Sequence, residues 1–140
     1  MRRKLVLLTL LIISAILLVF IHCTQKQVRP AIPEQKVHFP LKKDNITVVR
    51  VEPAPGKVVG RNHFITIWVK PPDPGTIRAS ITVHPEPEYI MEHAAAWVPG
   101  KALGYTWAVT ADRGVYTVNA TVFNRKTGER INFSWSYYVK

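Results

Sequence analysis

Cysteine is almost missing from this chain: Cys23 is the only one among 140 residues. One thiol cannot close an internal disulfide, so any fold must rest on its core. Acids are scarce too, nine against nineteen lysines and arginines, for a net charge of +10. The excess is uneven. Arg2, Arg3 and Lys4 supply +3, residues 22–43 supply +4, and residues 44–140 only +3. Most of it therefore lies beside an apolar segment, where basic residues set membrane orientation or touch anionic headgroups. No basic cluster is interleaved with aromatics along one strand face, so nucleic acid is not an expected partner. Catalytic signatures are missing as well. There is no Gly-x-Ser-x-Gly elbow, phosphate-binding glycine loop, His-Glu-x-x-His or cysteine pair. Neither an enzyme nor a cofactor is expected.

What is present falls into three parts. Leu5 to Ile21 is an apolar run of seventeen residues after Arg2-Arg3-Lys4. As a helix it would be about 26 Å long, near the lower limit for crossing a bilayer. Residues 1–21 are expected to act as a signal anchor or signal peptide, with the rest of the chain on the extracytoplasmic side. Cys23 occupies the place of a lipoprotein cysteine, but Phe20-Ile21-His22 lacks the small residues such a signal carries before it. Residues 22–43 hold Pro30, Pro33 and Pro40 and no glycine, the composition of an extended linker. Residues 44–140 have the length of one ordinary domain.

That domain reads as strands. Ile46 to Val51 is β-branched, and Glu52-Pro-Ala-Pro-Gly56 ends it. In His63–Lys70, Ile65, Ile67 and Val69 alternate with Phe64, Thr66 and Trp68. Pro71-Pro-Asp-Pro-Gly75 is a breaker. Ile77–His84 alternates cleanly, with Ile77, Ala79, Ile81 and Val83 on one side. Tyr89–Val98 has the weakest pattern and is expected to be a short strand or irregular edge. Leu103–Thr110, Tyr116–Phe123 and Ile131–Val139 alternate again, the last two joined by a loop in which Gly128 is expected to take positive φ. A segment at Val37–Leu41 is a candidate edge addition. The pattern predicts an all-β, antiparallel sandwich of about seven strands, preceded by one N-terminal hydrophobic helix.

Three resemblances refine this. Asp112-x-Gly114-x-Tyr116 resembles the tyrosine corner of immunoglobulin-like domains, whose tyrosine hydroxyl bonds back to upstream backbone. Val118 stands where antibody domains carry their second cysteine. Val51-Glu-Pro-Ala-Pro-Gly56, Ile65-Thr-Ile-Trp-Val69, Pro72-Asp-Pro-Gly-Thr-Ile77, Ser80-Ile-Thr-Val83 and Gly114-Val-Tyr-Thr-Val118 together resemble the bacterial immunoglobulin-like modules of surface-layer proteins. That resemblance implies a spacer, adhesion unit or ligand-binding unit. The Pro-Gly turn and the Gly-x-Tyr-x-Val strand are also similar to copper-binding periplasmic sandwich proteins. Those imply a mature N-terminal histidine, and no clean cleavage site here would create one.

Three groups of residues are functional candidates. His84, Glu86, Glu88, Glu92 and His93 supply metal-ligand or acid–base chemistry within ten residues, although Pro85 and Pro87 hold the segment extended and spread the side chains. His38 and His63 are isolated and expected to be surface or internally satisfied histidines. Phe64, Trp68, Phe123 and Tyr138 have outward parity, and on a shared face they would form a patch suited to a protein or glycan. Asn45, Asn119 and Asn132 begin glycosylation-type triplets. The functional expectation is a membrane-tethered, extracytoplasmic immunoglobulin-like module for protein interaction or cell-surface assembly, held by residues 5–21 and partnered by another envelope protein. The alternative is a copper-type metal-binding export protein.

Overall fold

A computed structural model describes residues 31–32, 37–70, 74–93, 95–98 and 102–140. Residues 31–140 make up one compact unit. The expected membrane segment at 5–21, Cys23 and most of the linker lie outside the described residues. Among the described residues no helix is long and apolar enough to cross a membrane.

The domain is an all-β sandwich. Its strands are β1 (Leu41–Lys43), β2 (Ile46–Glu52), β3 (Val58–Val59), β4 (Asn62–Lys70), β5 (Ile77–His84), β6 (Tyr89–Glu92), β7 (Ala96–Val98), β8 (Ala102–Thr110), β9 (Gly114–Asn124) and β10 (Arg130–Val139). The first sheet runs β1-β2-β4-β8-β6, with β7 also on β8. The second runs β3-β10-β9-β5. All pairings are antiparallel except β3 with β10.

Period-two alternation fixes which side chains meet between the sheets. Ile65, Ile67 and Val69 of β4 are fully buried, as are Val118 and Val122 of β9. On β10, Trp135, Tyr137 and Val139 are at most 1 % exposed. Each such large side chain contributes about 1.5–3 kcal/mol when removed from water. Gly128 turns the β9–β10 hairpin with φ of 74°, a conformation glycine adopts without a Cβ penalty. Asn124 assists by accepting the backbone N–H groups of Lys126 and Thr127 at its side-chain oxygen.

Three elements depart from the expected seven strands. β1 pairs with β2, and Phe39 packs edge-on against Phe133 at 5.8 Å. The folded region thus begins upstream of residue 44. β3, only two residues long, attaches to the end of β10 in parallel register. Tyr89–Val98 divides into β6 and β7, both pairing with β8. In the Pro-rich breaker, Pro74–Thr76 forms one 3₁₀ turn before β5.

His63 is internally satisfied. Its Nδ1 lies 3.0 Å from the Gly60 carbonyl, and its Nε2 lies 2.8 Å from the Tyr137 hydroxyl. A carbonyl only accepts, so Nδ1 carries the proton and Nε2 of the neutral ring accepts from Tyr137. Burial depresses the His63 pKa below the ordinary 6.5, opposed by backbone bonds at Gly60 and Arg61. The unfolded chain therefore binds a proton more readily than the fold. His63 contributes its full share of stability above about pH 6.5, and that share is lost as pH falls through the lowered folded value. Urea unfolding measured between pH 7.5 and 5 should show wild-type stability falling with pH. In His63→Gln that fall should be smaller.

Candidate interaction surface

The exposed large apolar side chains of the described residues are Phe64, Tyr89, Ile90 and Met91. Register places three of them, Phe64, Tyr89 and Met91, on one face. Phe64 of β4 stands opposite Ala108 of β8, and Ala108 stands opposite Met91 of β6. One row of the first sheet's outer face is therefore Phe64, a small alanine and Met91. Tyr89 shares Met91's side of β6, and its hydroxyl lies 3.0 Å from the Met91 sulfur. The His93 ring meets Phe64 edge-on at 5.9 Å. Ile90 has the opposite parity but remains 38 % exposed, because β6 ends the sheet order and nothing among the described residues flanks it.

Charge frames the patch at one end. Arg61 pairs with Glu88 and also reaches Asp112 at 3.5 Å. All three groups are exposed, so these pairs add little stability. They do tie the turn before β4 to the chain entering β6 and to the corner before β9.

Trp68 lies on the same outer face but is not a free anchor. Its ring packs on Gly104, where an added Cβ would sit 3.0 Å from the ring. Its indole N–H donates to Glu52 at 3.3 Å, and the Arg50 guanidinium lies 5.0 Å from its ring centroid. Arg50 and Glu52 are themselves paired at 3.2 Å.

Phe123 and Tyr138 belong to the other sheet. Phe123 is half-buried between Arg78 and Arg130 in register. Tyr138 is buried, with Arg113 donating to its hydroxyl at 2.7 Å and Val58 and Val115 beside it in register. The structure thus does not gather the four outward aromatics onto one face. Parity along a strand gives a side chain's face but not its sheet. Tyr89, Ile90 and Met91 escaped the sequence reading because the alternation around them is short. The available signal was Tyr89 and Met91 two residues apart before a small-residue strand face containing Gly104 and Ala108.

The polar cluster is divided as well. His84 ends β5 in the second sheet, whereas Glu92 and His93 belong to the first. Glu88 is paired with Arg61, and Glu86 is exposed in the crossing between sheets. Among the described residues no group of three His, Cys, Asp or Glu side chains is placed to hold a metal ion.

At the corner, Asp112 is exposed and Tyr116 is buried. Burial and then the Asp112 charge push the Tyr116 hydroxyl above its ordinary pKa, and a hydrogen bond with the Asp112 backbone opposes them. A Cβ at Gly114 would contact the Tyr116 ring at 3.7 Å, so the ring covers the corner. No family model, no curated protein and no solved structure matches this chain.

Removing the corner hydroxyl by Tyr116→Phe should lower unfolding free energy by about 1 kcal/mol, since one hydrogen bond is lost. Urea denaturation reads the loss, and an unchanged far-ultraviolet spectrum shows that the sheets persist.

Proposed function

We propose that the chain is a membrane-tethered, extracytoplasmic immunoglobulin-like module that binds another envelope protein. The observation that carries this reading is the gathering of Phe64, Tyr89 and Met91 on one face, with Ile90 exposed on the other side of β6, beside a sheet edge that no described residue pairs. Contiguous exposed apolar surface costs solubility unless something covers it. An unpaired edge offers backbone donors and acceptors to an incoming strand. A partner presenting an extended apolar segment satisfies both.

The immunoglobulin-like assignment draws support from strand order. In the constant-type arrangement strands A, B, E and D form one sheet and C, F and G the other. Here β2, β4, β8 and β6 follow the first order, and β5, β9 and β10 follow the second. Tyr116 stands at the start of the strand that corresponds to F. The membrane tether rests on Arg2-Arg3-Lys4 and the apolar run Leu5–Ile21.

Two measurements on full-length protein in its native membrane test the proposal. Protease added to intact spheroplasts should remove the domain; complete protection would contradict the extracytoplasmic placement. Crosslinking should trap a defined partner that Phe64→Ser with Met91→Ser reduces at least tenfold. Both residues are exposed, so thermal unfolding should stay close to that of wild type. Equal capture by the double variant would show that the patch is not the docking surface.

A further inference from the structure

The outer face of the second sheet has a different chemistry. Ser80 and Thr82 of β5, Asn119 and Thr121 of β9, and Asn132 and Ser134 of β10 line a shallow depression of about 460 Å³. Register sets them in two rows. Ser80, Thr121 and Asn132 form one, and Thr82, Asn119 and Ser134 form the next. Beyond the first row comes Phe123, between Arg78 and Arg130. The four strands of this sheet contain no aspartate or glutamate.

Within the face, Thr121 donates to the Asn132 side-chain oxygen at 2.9 Å, which leaves the Asn132 amide hydrogens facing outward. The side chains of Ser80, Thr82, Asn119 and Ser134 make no hydrogen bond to other described residues. Each of these groups both donates and accepts. An apolar protein partner would strip water from six polar side chains without replacing their bonds, at a cost for each. A ligand rich in hydroxyl groups replaces them in kind. The half-buried Phe123 ring offers a flat surface to the apolar face of a sugar ring. Arg130 is exposed, whereas the Arg78 guanidinium is engaged at the β5 edge, by its Nη1 bond to the Ile77 carbonyl at 3.0 Å and by the Tyr105 hydroxyl. Guanidinium groups pair with carboxylates, and the strands of this face carry none, Glu129 lying in the hairpin loop before Arg130.

We infer that the outer face of β5, β9 and β10 binds an acidic glycan, with Asn119, Asn132 and their Ser and Thr neighbours meeting its hydroxyls, Phe123 stacking on a ring and Arg130 meeting a carboxylate. The site lies on the sheet opposite the apolar patch, so it does not depend on the protein-docking reading.

The test uses the full-length protein in nanodiscs, titrated calorimetrically with tetragalacturonate and with maltotetraose as the neutral control. The acidic oligosaccharide should bind at least tenfold tighter than the neutral one. Phe123→Ala should weaken it at least tenfold. Thr82→Asp with Ser134→Asp should do the same, and because both positions are exposed, folding is preserved. Phe64→Ser should leave binding unchanged, which separates this site from the apolar patch. The inference is overturned if tetragalacturonate does not bind, if maltotetraose binds as tightly, or if the Thr82→Asp, Ser134→Asp variant keeps wild-type affinity. It is equally overturned if the intact mass of the native protein shows a sugar attached at Asn119 or Asn132, since the face would then be covered by the protein's own glycan.

Discussion

Large aromatic side chains fill this core, and each brings a polar atom that must be satisfied away from water. Trp135 is 1 % exposed and donates its indole N–H to the Pro53 carbonyl at 2.9 Å. Tyr137, fully buried on the second sheet, bonds to His63 on the first. Tyr105, on the first sheet, donates to the Ile77 carbonyl on the second. An unsatisfied buried group costs about 1–3 kcal/mol, so these bonds are conditions for burying the rings at all. Tyr137 and Tyr105 also bridge the two layers. In a domain whose described part contains no cysteine, they specify how one sheet sits over the other, a role that antibody domains give to a disulfide between strands B and F.

This constraint explains how much of the fold was legible. β4, β5, β8, β9 and β10 are long enough for alternation to declare a buried face, and Ile65, Val83, Val109, Val118 and Trp135 lie there as expected. β3 was not legible, and β1 only as a candidate edge addition ending at Leu41. Two or three residues carry no period, and their pairing depends on what the ends of β10 and β2 leave open. The split between β6 and β7 has the same origin. Tyr89-Ile-Met-Glu is a short strand whose side chains are all exposed, so no hydrophobic face marks it.

The candidate surfaces were legible only by halves. Outward parity was correct for Phe64 and for Phe123, yet the two residues lie on different sheets. Tyr138 has outward parity and is nevertheless buried, because β3 and Arg113 close over it. Trp68 shares a face with Phe64 but spends its ring on Gly104 and Arg50 and its N–H on Glu52. Exposure in a sandwich is decided by side chains on adjoining strands and corners, and a single strand's pattern does not contain them.

The contrast between the two outer faces bears directly on function. Solubility alone would favour mixed charge on both faces. Instead, the first sheet collects apolar side chains at β6, whose outer edge no described residue pairs, and the strands of the second carry no acid while presenting amides and hydroxyls in register. The Asn-x-Thr and Asn-x-Ser triplets at 119 and 132 follow from that second pattern. In antiparallel register Asn132 lies across from Thr121 and Asn119 across from Ser134, so each triplet's hydroxyl faces the other's amide. Alternating amide and hydroxyl residues along both strands place Thr121 to bond Asn132 across the strands. The Asn132 side chain is thus engaged across the strands, whereas Asn119 and Ser134 keep their amide and hydroxyl groups facing outward.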